Sequence, residues 1–328
     1  MRRASVAGFL SLVSLFALPL FAAKKNYSYF AVGNQNDVVK TTTAGTVLMG
    51  GGTDVDAAFQ WMINKSGGGD FVVIRATGTD AYNPYIFGLG TVDSVETLII
   101  PSRAGAADPF VVAKIRNAEA LWIAGGDQSD YINFWKGTPV GDAINYVANT
   151  KHAPVGGTSA GLAVLGQFIY TGAAGSVTSS QALADPYHRY VTLDRDFVQI
   201  ANLGGVITDS HFVTRDRFGR SVAFLARIIK DGWAASARGI GIDEATAILV
   251  EPTGAATRVG SGAAYFISSN GVPLTCVSGT PLTYTGLPVY KVSGAATFNL
   301  STWTGSGGTA YTVSANAGAF SSSNGSIY

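Results

Sequence analysis

From about residue 45 the chain alternates short apolar runs with amphipathic stretches, and this alternation constrains the fold more than any other feature of the sequence. GTVLMGGG reads as a buried strand ending in a glycine turn, and DVDAAFQWMINK as the helix that follows, with Asp54 where a helix start favours a carboxylate. DFVVIRATG is a second strand, preceded by the Gly67–Gly69 helix stop, and VETLII is a third. DPFVVAKIRNA is a helix opened by Asp108-Pro109. ALWIAGGD, the helix GDAINYVANT and the strand APVGG continue the series. Apolar strands separated by helical patterns are βαβ units, which predict a parallel sheet with helices on both faces. The expected architecture is therefore an α/β three-layer sandwich around a mostly parallel sheet.

Such folds bind ligands outside the carboxyl ends of their strands. The glycine turns at Gly50–Gly52, Gly125-Gly126 and Gly156-Gly157 all fall there. The last leads into Gly157-Thr158-Ser159-Ala160-Gly161, a G-x-S-x-G spacing whose small neighbours let a strand turn sharply into a helix and hold a hydroxyl proud of the sheet. In a chain this rich in Gly the same spacing also suits an ordinary glycine loop, so its surroundings decide.

A serine nucleophile needs a base within hydrogen-bond reach and an acid to orient it. Three histidines are available. His152 precedes the strand that leads to Ser159 and so belongs at that strand's far end. His188 lies in a loop with no shaped surroundings. His211 follows the apolar run GGVITD and precedes a helix in which Val222, Leu225, Ala226 and Ile229 recur at helical spacing. A strand-end position on the same sheet would bring it to the edge occupied by Ser159. Asp243 and Glu244, adjacent in an otherwise apolar segment, are the candidate acids; on a strand they point to opposite faces, so at most one serves His211. The backbone N–H of Ala160 and the Gly125-Gly126-Asp127 turn can supply oxyanion donors. Arg215, Arg217 and Arg220 offer cations for a substrate carboxylate or form a solvated basic helix start.

The remaining features set the context. The 328 residues are 47% hydrophobic, ample for a large core, and the formal net charge of +1 gives no electrostatic reason for a nucleic-acid partner. Met1-Arg2-Arg3 followed by VAGFLSLVSLFALPLFAA describes a secretory signal peptide over residues 1–23, although Leu20 or Phe21 falls at the outer cleavage position and an uncleaved anchor is the alternative. Secretion is the resulting expectation, with no stable membrane insertion. Cys276 is the sole cysteine, which excludes an internal disulfide and a cysteine-based metal site; it lies in the apparent strand GVPLTCVSG as a buried, inert thiol. After about residue 250 Thr, Ser and Gly increase and the pattern alternates with period two, the mark of short antiparallel strands that edge the sheet or form a small appendage. Residues 24–268 are thus expected to form the main domain and 269–328 a β-rich extension.

Four blocks together carry a resemblance: GGTSAG around Ser159, IAGGDQ at 123–128, TDSHFVTRDRFGR at 208–220 and GIGIDEATAILVE at 239–251. In their order along the chain they resemble the cyanophycinase and peptidase E family of serine peptidases, over roughly residues 45–268. The resemblance implies a flavodoxin-like α/β fold similar to class I glutamine amidotransferases. It implies Ser159 as nucleophile, His211 as general base and, in the cyanophycinase branch, Glu244 as acid. It further implies an oxyanion hole from Gly126 and Ala160, with Gln128, Asp209, Arg215, Arg217 and Arg220 as substrate-binding residues, Asp209 able to receive a cationic group. No metal or organic cofactor is implied. Ser210 departs from the family's Asp-Gln-His pattern and removes amide donors from the pocket, which argues against cyanophycin itself as substrate. The expected activity is that of a secreted exopeptidase or isopeptidase acting on a peptide or aspartate-linked polymer. An aspartyl dipeptidase and a non-catalytic peptide- or glycan-binding protein are the alternatives, and a homodimer is one open oligomeric state.

Overall fold

The structure, a computed structural model, describes residues 25–328 together with residues 1 and 4. The expected signal peptide otherwise lies outside the described residues. Five parallel strands form the centre of a ten-stranded sheet, in the spatial order Ser94–Ile99, Asp70–Arg75, Ala120–Ile123, Val155–Thr158 and Thr46–Met49. Successive residues of these strands face opposite sides, as the strand period requires. Val72, Ile74, Leu121 and Ile123 pack with Ile115, Trp135 and Ile144 on one side. Phe71, Val73 and Trp122 pack with Phe59 and Met62 on the other. The Phe59 and Trp122 rings lie 4.7 Å apart and both are fully buried. Burial of each such side chain contributes about 2–3 kcal/mol, which is why these strands read as continuous apolar runs.

The architecture is mixed α/β, but the single mostly parallel sheet is replaced by two sheets. Antiparallel strands flank the parallel centre of the first: Ser28–Gly33 on one side, Thr246–Val250 and its neighbours on the other. The second sheet has eight strands, of which only Phe168–Tyr170, Val206–Asp209 and Arg238–Ile242 run parallel. Residues 269–328 do not stand apart. The strand Tyr284–Val292 pairs with Ala264–Ser268 in the second sheet, and Thr297–Asn299 pairs with Ala255–Gly260 in the first. Of the two expectations for this segment, edging the sheets is the one realised. Leu287, Val289 and Val313 from it share a core with Val222, Leu225 and Ala226 of the helix Phe218–Lys230.

Smaller departures have local causes. The first helix, Asp56–Lys65, starts after Val55, and Asp54 instead accepts a hydrogen bond from the Tyr82 hydroxyl at 3.2 Å. The helix Gln128–Trp135 is an element the apolar pattern did not announce, because only Tyr131 and Trp135 of it are fully buried. Cys276 is buried as expected, and burial pushes its thiol up to about 11, but it sits in a loop rather than a strand. Among the described residues no helix is long and apolar enough to cross a membrane.

Candidate active site

Ser159 stands at the end of the strand Val155–Thr158, with φ 53° and ψ −113°, where the chain turns into the short helix Ala160–Ala163. A non-glycine residue at positive φ is strained, by about 1–3 kcal/mol, and holds only where its surroundings over-determine it. Here the glycines do so. A side chain on Gly157 or Gly161 would strike neighbouring backbone, so the turn closes only with glycine at both positions.

His211 follows the strand Val206–Asp209, which belongs to the second sheet rather than to that of Ser159. Residues that follow strands of both sheets come together at the site. The Ser159 Oγ lies 2.7 Å from His211 Nε2, and His211 Nδ1 lies 2.5 Å from Glu244 Oε1. Asp243 and Glu244 are not on a strand: they occupy the turn between Arg238–Ile242 in the second sheet and Thr246–Val250 in the first. The Asp243 carboxylate accepts from the Val213 and Thr214 N–H groups and from the Thr214 hydroxyl, at 3.0–3.1 Å. It anchors the loop that follows His211 while Glu244 faces the imidazole. His152 is exposed at the opposite end of the Val155–Thr158 strand, and His188 packs edge-on against Tyr190.

The Gly50–Gly52 turn has a role that reading the sequence did not assign. The Gly50 carbonyl accepts from the His211 N–H at 2.8 Å, and the Gly51 carbonyl from Ala245 N–H at 2.9 Å. Gly51 has φ +97°, and a β-carbon there would come within 2.5 Å of the His211 ring. Three successive glycines at a strand end were the available signal; their purpose is to let backbone lie flat beneath the imidazole.

The oxyanion candidates flank Ser159. Ala160 follows it directly, and the Gly125 α-carbon is turned toward the Ser159 side chain, where a β-carbon would sit 3.5 Å from Ser159 Cβ. Gly126 is next along this turn, against the Tyr131 hydroxyl. Gln128 opens the following helix and its amide reaches the Tyr170 carbonyl at 3.4 Å.

Asp209 and Arg220, both expected to meet substrate, meet each other instead. The Arg220 guanidinium donates to both Asp209 carboxylate oxygens, at 2.8 and 2.6 Å, and the pair is buried. Ser221 Oγ, the Ser210 N–H and, at 3.4 Å, the Arg217 guanidinium also donate to the carboxylate. Burial opposes the charge, yet Arg220 and Arg217 hold the Asp209 carboxyl below the usual range. A carboxylate so fully satisfied has no lone pair to offer a substrate cation. Arg217 is likewise engaged, donating to the Ser210 carbonyl at 2.8 Å, and burial lowers it to about 10. Of the three arginines only Arg215 is substantially exposed, 54% of its side chain, with Nε 3.9 Å from Glu244. Among the described residues no cluster of His, Cys, Asp and Glu could hold a metal ion.

No family model matches the chain. A cyanophycinase from Nostoc sp. strain PCC 7120 is 28% identical over 196 residues, 60% of this chain and 57% of that protein. One from Synechococcus elongatus is 24% identical over 215 residues, covering 64% of this chain and 62% of its own. Over these residues the chain is similar to cyanophycinases. It spans about three fifths of the length of these curated relatives. A peptidase from an acI-B1 Actinobacterium shares the fold at a TM-score of 0.52 and 17% identity, over 79% of this chain and 98% of that one.

Three expected outcomes follow from the geometry of the site. Burial lowers the His211 pKa from its usual 6.5; the Glu244 hydrogen bond opposes this, and the Arg215 and Arg217 charges add to it. An imidazole that must be neutral to accept a proton then stays competent below pH 6.5. The acid limb of the kcat/KM profile is expected below that value, and Arg215→Ala should move it upward by removing one repelling charge. The same shift means that the native state holds fewer protons than the unfolded one. The associated stability is present above pH 6.5 and is lost as pH falls through the native value. Asp209→Asn would strand the buried Arg220 guanidinium without a counter-charge, and urea denaturation should show a loss of about 3–5 kcal/mol.

Proposed function

We propose that this chain is an exported serine peptidase or isopeptidase that hydrolyses an amide bond next to a carboxylate, as in aspartate-linked peptides or polymers. The observation that carries the reading is the unbroken relay from Ser159 Oγ through His211 to Glu244, with both links within hydrogen-bond distance. In this mechanism Ser159 attacks the amide carbonyl and His211 Nε2 takes its proton. The C–N bond breaks as His211 returns that proton to the leaving amine, and water then releases the acyl group by the reverse roles. Glu244 accepts the Nδ1 proton's hydrogen bond, which holds the imidazole in the tautomer that presents a lone pair to Ser159. Backbone N–H groups of Ala160 and of the Gly125-Gly126 turn face the oxyanion, each worth about 3–4 kcal/mol where such donors are preorganised.

Substrate charge is argued from what the arginines leave over. Asp209 is spent on Arg220, so a substrate cation finds no receiver there; Arg215 is exposed beside Glu244 and can pair with a carboxylate. Ser210 turns its hydroxyl to Arg217 rather than to open space. These contacts favour recognition of an acidic group over a guanidinium. Export rests on the basic head and apolar run at residues 1–23.

The test is mass spectrometry of the purified protein after reaction with a fluorophosphonate. A single adduct on Ser159, absent from His211→Ala, is the expected result; no adduct under conditions that label another serine peptidase overturns the reading. A panel of aspartyl dipeptides and aspartate-linked polymers, with and without the neighbouring carboxylate, then reads out the substrate class.

A further inference from the structure

The loop between His211 and the helix Phe218–Lys230 has an unexpected support. The Tyr328 hydroxyl donates to Asp216 Oδ1 at 2.7 Å and accepts from the Phe218 N–H at 3.1 Å. That amide opens a helix which has no side-chain cap of its own. The Tyr328 ring lies against Phe212, Phe218 and Tyr265, with centroids 5.8–6.1 Å apart. Phe212 is the residue next to His211, and its ring fills the space left by the missing side chain of Gly241. Tyr328 is itself held, since the Tyr311 hydroxyl donates to the Ile327 carbonyl at 3.0 Å. The hydroxyl therefore ties the far end of the segment that carries the base and Arg215, at Asp216 and Phe218, while the ring packs on Phe212 beside the base.

We propose that Tyr328 is a positioning residue for His211: its hydroxyl sets the loop 212–217, and through it the imidazole, against Ser159. The proposal rests on the serine mechanism above. Several features give the loop need of such a clamp. His211 and Asp216 both sit at positive φ, 47° and 46°, so each end of the loop is held in a conformation its residues resist. Asp243 fixes Val213 and Thr214 from one side. The carbonyl of Asp216 accepts from Ser179, but its carboxylate is directed to Tyr328. A loop free to relax would move the imidazole by fractions of an ångström, and misplacement of about 1 Å can cost a hundredfold in rate. The β-rich segment thereby acts on catalysis without touching substrate.

The experiment compares Tyr328→Phe with the unaltered chain in three readouts: the second-order rate of fluorophosphonate reaction at Ser159, the split between kcat and KM, and Tm. Phenylalanine keeps the ring packing and removes only the hydroxyl's hydrogen bonds to Asp216 and Phe218. The expected result is a fall of about tenfold in labelling rate and kcat, with KM unchanged and Tm within a few degrees. Asp216→Ala should fall similarly, and the double variant should be no slower than either single one, as for two ends of one contact. Equal labelling of Tyr328→Phe and the unaltered chain overturns this proposal alone. So does a rate loss accompanied by a fall in Tm of about ten degrees or more, for then Tyr328 merely holds the fold. Failure of the unaltered chain to label at all overturns the serine mechanism and this proposal with it.

Discussion

Ser159→Ala is expected to lower kcat by about 10⁶ while leaving KM within a few-fold of its original value. In the proposed mechanism its side chain forms the covalent bond: the Oγ is 2.7 Å from His211 Nε2, at the apex of a turn whose glycines exclude a larger neighbour. Removing it leaves His211, Glu244 and the flanking backbone N–H groups in place. A residual acceleration of about 10³ over the uncatalysed reaction should therefore persist, supplied by oxyanion stabilisation and binding. His211→Ala should cost about as much, and the double variant little more, because nucleophile and base act as one unit. Stopped assays with a purified substrate and an active-site titration measure all three. A Ser159→Ala protein that retains more than about a hundredth of the activity would exclude the serine as nucleophile.

Glu244→Gln should follow with a loss of about 10⁴ in kcat. The amide is nearly isosteric with the carboxylate, so geometry is kept. A glutamine can present its NH₂ to the imidazole Nδ1, however, and then favours the tautomer whose Nε2 carries the proton and cannot accept one from Ser159. Asp243→Asn supplies the contrast. Its side-chain oxygen is hydrogen-bonded by Val213, Thr214 N–H and the Thr214 hydroxyl, and an asparagine carbonyl can accept the same bonds. Its activity should stay within about tenfold of the original, the loss coming from weaker, uncharged hydrogen bonds rather than from the wrong tautomer. If the two variants exchanged these effects, Asp243 would be the orienting acid and Glu244 a loop anchor.

The acid is where reading the sequence stops short on physical grounds. Adjacent carboxylates in an apolar segment announce that both are held by partners, but which partner holds which depends on backbone direction. Had residues 243 and 244 been in a strand, they would have faced opposite sides. They fall instead in a turn that passes from one sheet to the other, with Ala245 at positive φ, and there both point toward the His211 loop from different distances. Asp209 and Arg220 illustrate the same gap. Their spacing of eleven residues crosses a strand end, a loop and a helix turn, and nothing local indicates that the two groups close on each other in the interior.

The sequence by itself determined the elements that burial and backbone geometry write locally. Apolar runs made the strands Thr46–Met49, Asp70–Arg75, Ser94–Ile99 and Ala120–Ile123, because residues packed on both faces must all be apolar. Asp108-Pro109 opened a helix with the Asp108 side chain accepting from the Phe110 N–H. G-x-S-x-G placed a serine on a tight turn, because only small residues permit it. Tertiary structure alone decided the rest: that the strands divide between two sheets, that residues 269–328 complete both, and that a glycine turn lies beneath the histidine. It alone brought Ser159, His211 and Glu244 into contact. Those outcomes depend on contacts between residues far apart in the chain. Their energy comes from surfaces that exist only once the sheets have formed, so no short stretch of sequence carries their signal.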